Sequence, residues 1–129
     1  MLNEKPRQID IHRRIYQFVL RVINLTKQLN RTSQNSVFVK QITRSASSIG
    51  ANSTEAEAAS TKKEFTRCFT IAKKEAKETL YWLRLIADTN DPLKSRMEQL
   101  IQENDELVRI ISSIILKSKD YDPSKQFSI

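Results

Sequence analysis

Apolar residues recur along this chain at alternating steps of three and four, the beat of one face of an α-helix. Ile11, Ile15, Phe18, Val22, Leu25 and Leu29 carry it first, predicting a helix over about 7–30. Arg31 to Ser36 is polar and reads as a loop, with Ser36 as N-cap. Ile42, Ala46, Ile49, Ser53 and Ala56 resume the beat, predicting a second helix over about 37–58 whose small side chains let a neighbour approach closely. Thr61 and Glu64 have capping-box spacing. They open a third helix over about 62–88, with Phe65, Phe69, Ala72, Ala76, Leu80, Leu83 and Ala87 as its stripe. Asp91 as cap and Pro92 at the first helical position start a fourth, over about 92–118. Its stripe is Leu93, Met97, Leu100, Asn104, Leu107, Ile111 and Ile114. The residues from about 122 to 129 read as a flexible tail.

Four helices with short connections place sequential neighbours antiparallel. The expected fold is all-α, an up-down-up-down four-helix bundle in a single domain. Its core should contain Ile15, Phe18, Val22, Ile42, Ala46, Ile49, Phe69, Ala72, Ala76, Leu80, Leu83, Leu100, Leu107 and Ile111. Two helices carry a second stripe: Tyr16, Val19 and Ile23 on the first, Ile101, Val108 and Ile115 on the fourth. A second stripe means either a broad core face or an oligomer interface. The interface reading assigns Tyr16, Val19, Ile23, Val108 and Ile115 to contact with another subunit. Gly50, within the second helix, costs roughly 1 kcal/mol against alanine. It is read as a packing glycine, with a kink there as the alternative.

Composition agrees with long helices, since the chain has one glycine and three prolines in 129 residues. No apolar run reaches the ~18 residues of a membrane span, and the opening residues lack an apolar signal core. The expectation is a cytoplasmic protein without membrane contact. The single Cys68 allows no intrachain disulfide and, beside Phe69, reads as a buried, inert thiol.

Net charge is +7 and the pI about 9.7, which favours an anionic partner unless the charge serves solubility alone. It is unevenly placed. Residues 7–31 hold six basic side chains against Asp10, residues 61–88 seven against four acids, and residues 91–120 five against six. Arg7, Arg14 and Arg21 are seven apart and share a helix side. The candidate nucleic-acid surface is therefore Arg7, Arg13, Arg14 and Arg21, helped by Lys73, Lys74 and Lys77. Outside the apolar stripe, no aromatic residue interleaves on the helix side of Arg7, Arg14 and Arg21, so binding to RNA or DNA should be charge-led and weakly sequence-specific.

Catalytic chemistry finds little support. A di-iron bundle needs two Glu-x-x-His pairs, whereas His12 is the one histidine and reads as solvent-exposed. There is no glycine-rich phosphate loop. The serines Ser45, Ser47, Ser48 and Ser53 read as packing residues that bond back to helix carbonyls. Neither an enzyme nor a cofactor or metal is expected. The carboxylates Glu55, Glu75 and Glu78 either pair with Arg44, Lys77 or Arg84 or stand solvated.

Two runs carry a resemblance: "RSASSIGANSTEAEAASTKKEF", from Arg44 to Phe65, and "IAKKEAKETLYWLRLI", from Ile71 to Ile86. They resemble the four-helix-bundle family of bacterial rRNA intervening-sequence proteins, which also takes in the accessory variability determinant of diversity-generating retroelements. The matching positions are Ser48, Ile49, Gly50, Asn52, Glu55, Glu75, Glu78 and Trp82, a structural motif without catalytic groups. The resemblance implies a cylindrical homopentamer. The retroelement member engages its reverse transcriptase and nucleic acid through a positive surface. The intervening-sequence members are encoded within inserts in large-subunit rRNA genes. The expected function is an oligomeric, basic, non-enzymatic accessory protein that binds nucleic acid or a nucleic-acid enzyme such as a reverse transcriptase. The alternative is a protein-interaction scaffold without direct nucleic-acid binding.

Overall fold

The computed structural model of the protein describes residues 10–120. Arg7 and the expected tail at 122–129 lie outside them. Four long helices form an antiparallel bundle: α1 (Ile11–Thr26), α2 (Ser33–Glu57), α3 (Lys62–Thr89) and α5 (Glu98–Asp120). A short α4 (Asp91–Lys94) and a 3-10 turn (Ser95–Met97) lead into α5. Packing runs α1 on α2, α2 on α3, α3 on α5 and α5 on α1. The helices α1 and α3 therefore sit on a diagonal.

The helix ends follow local chemistry. Asp10 caps α1 by accepting from the backbone N–H groups of His12 (3.1 Å) and Arg13 (3.2 Å). The helix stops at Thr26 rather than near Asn30. There the hydrogen bonds shorten to three-residue steps, Gln28 to Leu25 and Leu29 to Thr26, while the Thr26 hydroxyl bonds Ile23 O. The cap of α2 is Thr32, not Ser36: the Thr32 hydroxyl accepts from Asn35 N at 3.0 Å. The polar residues assigned to a loop form the first turn instead, because Asn35 is buried and reaches across to Asn90. The two amides donate to each other's oxygens at 3.2 and 3.1 Å. Asn90 also occupies the cap position of α4, so Asp91 lies inside that helix and no side chain caps it. Thr61 caps α3 as expected, and Glu64 reaches Ser60 N rather than Thr61 N.

The core fills along the expected stripes. Ile15, Phe18, Val22, Ile42, Ala46, Ile49, Phe69, Ala72, Ala76, Leu83, Leu100, Leu107 and Ile111 are all buried. Leu80 is half-buried. The helix α2 runs without a break through Gly50. A methyl group added there would meet Val19 Cγ2 of α1 at 3.7 Å, an ordinary contact. Gly50 thus faces α1 closely but leaves room for one carbon.

Two buried polar contacts fix helix register. Thr79 of α3 donates to the Ser45 hydroxyl of α2 at 2.8 Å. With its amide turned so that both neighbours are satisfied, the fully buried Asn104 of α5 donates to Ala76 O (3.0 Å) and accepts from Leu80 N (3.2 Å). Those are the two backbone groups that a regular helix pairs with each other. The amide of α5 therefore docks directly on the hydrogen-bond ladder of α3.

Candidate nucleic-acid interface

The expected surface joined arginines of the first helix to lysines of the third. The bundle separates them, because α1 and α3 lie on a diagonal. On α1, Arg13 and Arg21 are exposed, but Arg14 is not free. Its Nε and Nη2 bind both oxygens of Glu103 at 2.8 Å, and Nη2 also meets Glu106 at 2.6 Å. The Arg14 and Glu103 side chains are each 19% exposed. The Glu103 hydrogen bonds, then those to Glu106, hold the Arg14 proton more firmly than usual. Arg14 is a clamp between α1 and α5, which removes it from the phosphate-binding set.

On α3 the acids, not the cations, are taken up. Arg44 of α2 bonds Glu75 at 3.4 Å and also bonds Glu78. Glu78 additionally accepts from Trp82 Nε1 at 3.0 Å. The Arg44 bond, then the Trp82 bond, holds the Glu78 carboxyl below its ordinary 4.5. Asp88 pairs with Lys94 at 3.2 Å. Glu55 is exposed and takes no part in the Arg44 cluster.

What remains on the outer face of α3 is a line of exposed side chains at steps of four and three: Lys63, Arg67, Thr70, Lys74, Lys77, Tyr81 and Arg84. It extends about 31 Å at the rise of an α-helix. None of its five cations has an ion-pair partner among the described residues, and no acid lies on the line. At its start, Lys63, Arg67 and Lys119 of α5 border an open groove of about 740 Å³ with Thr66, Thr70 and Ile71. Lys74 and Lys77 were expected here. Lys73 is half-buried beside them. Lys63, Arg67, Tyr81 and Arg84 were missed, although their spacing was visible.

The residues assigned to an oligomer interface divide. Tyr16 is 61% exposed. Val19, Ile23 and Val108 are half-buried, with Val19 and Val108 packed on the core. Ile115 is only 7% exposed and belongs to the subunit's own core. Exposed apolar residues that the stripes did not single out are Leu20, Val37, Tyr81 and Leu116.

The motif residues Ser48 and Asn52 bond each other along α2: the Asn52 amide donates to Ser48 O and to its hydroxyl. Ser45 and Ser47 bond back to carbonyls of their own helix, as expected. His12 is half-buried rather than solvent-exposed. Its Nδ1 lies 2.6 Å from the buried Ser53 hydroxyl, and its ring centre 5.9 Å from that of Phe69. Cys68 is buried. Among the described residues no group of three His, Cys, Asp or Glu side chains could hold a metal ion, and no helix is long and apolar enough to cross a membrane.

A solved structure shows a similar fold. A crystal structure of a protein of unknown function from the S23 ribosomal protein family of Bacteroides thetaiotaomicron VPI-5482 superposes with a TM-score of 0.74. It is 37% identical over 81% of this chain and 94% of that one. No curated protein matches. The profile of the 23S rRNA-intervening sequence proteins matches residues 7–113, from the start of the Arg7–Arg31 basic segment to the last turns of α5. On that match, which spans all four long helices, the chain belongs to the 23S rRNA-intervening sequence protein family.

Proposed function

We propose that this protein is a non-catalytic, homo-oligomeric accessory factor that binds nucleic acid through the outer face of α3. The observation that supports it is the unopposed line Lys63, Arg67, Lys74, Lys77 and Arg84. Cations held on one straight helix face can follow a phosphate backbone and release its counterions. They carry no base-reading geometry of their own, so preference among sequences is weak. Arg13 and Arg21 are the exposed arginines of α1, the helix diagonal to α3.

Exposed Tyr16 and Leu20 on α1 and Leu116 on α5 support assembly with further copies, and the family resemblance points to five. A ring repeats the α3 face on every subunit, so modest contacts add through multivalency. The family's name joins its members to sequences intervening in 23S rRNA, which makes RNA the first ligand to try.

Fluorescence anisotropy with labelled RNA at low salt tests the proposal, with light scattering for assembly. Binding that is sequence-tolerant and falls steeply with salt is expected. No complex at low salt would leave a protein-interaction scaffold as the better reading. A monomer mass at micromolar concentration would end the oligomer.

A further inference from the structure

Tyr81 is the one aromatic side chain on the cationic line of α3, and it is 58% exposed. Lys77 stands one turn before it and Arg84 one turn after, on the same face. The ring is braced from below. It meets Trp82 edge-on, with centroids 4.9 Å apart and planes at 75°. Trp82 in turn is fixed by its indole bond to Glu78, which Arg44 holds, and by the Phe38 ring, with centroids 6.2 Å apart. An aromatic ring held in place between two cations has the two elements that bind an unpaired nucleotide: a π-face for the base and charge for its flanking phosphates.

We propose that Tyr81 is a stacking platform for an unpaired base, so that the α3 face takes single-stranded nucleic acid in preference to duplex. The proposal rests on the nucleic-acid reading of α3 given above and adds its substrate class. In a duplex the bases are stacked on one another and present no free face to Tyr81. The phosphate contribution is common to both forms, and the stacking contribution is available to the single strand alone.

The test compares an oligouridylate with an RNA duplex of the same length, by anisotropy, for the parent protein, Tyr81→Ala, Tyr81→Phe and the double variant Lys74→Glu/Lys77→Glu. Stacking on one base predicts that Tyr81→Ala loses about tenfold in affinity for the single strand. Duplex affinity stays within about twofold, and Tyr81→Phe behaves as the parent. The lysine variant weakens both forms alike. Trp82 is the single tryptophan and abuts Tyr81, so its fluorescence should respond to the single strand in the parent and lose that response in Tyr81→Ala. If Tyr81→Ala leaves the single-strand to duplex ratio unchanged while the lysine variant weakens both, the platform is wrong and the basic face stands. If the parent binds neither form, both readings fall. If Tyr81→Ala reduces the assembly to a smaller species, Tyr81 is an interface residue and the platform is wrong.

Discussion

One turn of α5 holds two neighbours by opposite chemistries. Glu103 and Glu106 clamp α1 through the charged, partly wet Arg14, whereas Asn104 clamps α3 through a neutral amide in a dry core. The difference decides what each helix has left to offer. On α1 the central arginine is used by the fold. On α3 the docking groups are backbone atoms, and its acids Glu75 and Glu78 are occupied by Arg44, so its exposed cations remain available. Net charge by segment ranks residues 7–31 above residues 61–88. The charge accessible on one face reverses that order.

Breaking the neutral clamp should have the largest effect. Asn104→Asp removes the donor to Ala76 O and puts a charge in the core, and should cost roughly 3 kcal/mol or more in urea unfolding. Asn104→Leu sharpens the point. It keeps volume without polarity, so stability should change far less, while the α3–α5 register loses its polar determinant. Near-identical losses for Asp and Leu would show that the lost amide hydrogen bonds, not the buried charge, set the cost.

The charged clamp should matter less. Arg14→Ala leaves Glu103 and Glu106 facing each other, for a loss of about 1–3 kcal/mol. Lys74→Ala on the open face should stay within about 0.5 kcal/mol. Equal effects of the two alanine variants would erase the distinction between a structural and an available cation. At the contact of α2 with α1, Gly50→Ala should gain up to about 1 kcal/mol from helix propensity, because the added methyl meets Val19 at ordinary distance. Gly50→Leu should lose about 1–3 kcal/mol by overpacking.

The smallest effect concerns pH. The Glu78 carboxyl is depressed in the fold by Arg44 and Trp82. Its contribution is therefore fully present above the unfolded value near 4.5 and is lost as pH falls through the lower folded value. Glu78→Gln should lower the melting temperature at neutral pH by that contribution, leave the acid end nearly unaffected, and so flatten the acid limb of a plot of melting temperature against pH. An unchanged acid limb would mean that the Arg44 cluster does not couple to folding.

The bundle was legible because each helix keeps one apolar stripe with a clear beat, and thirteen of the fourteen expected core positions are buried. Leu80 stands at the stripe's edge. The polar contacts were not legible. Arg14 and Glu103 are separated by 89 positions, and seven-residue spacing to Arg7 and Arg21 suggested a shared outer face instead. Asn104 was visible as a polar residue on an apolar stripe, but its partners are backbone atoms, which carry no sequence signature. Thr32 and Ser36 are equally good caps by residue type, and only the burial of Asn35 chooses between them. Ile115 looked like surplus apolar surface because the width of a core face depends on its neighbours. The α3 line was in the sequence throughout. Counting charge by helix, not by face, concealed it.

The available cations of α3, not those of α1, are proposed to engage nucleic acid. The most direct measurement is the slope of log affinity against log salt for single-stranded RNA, in the parent, in Lys74→Glu/Lys77→Glu and in Arg13→Glu/Arg21→Glu. Losing two phosphate contacts should reduce the magnitude of the slope by about 1.4 in the α3 variant. The α1 variant should keep nearly the parent slope. A slope untouched by the α3 changes, or abolished by the α1 changes, would contradict the account.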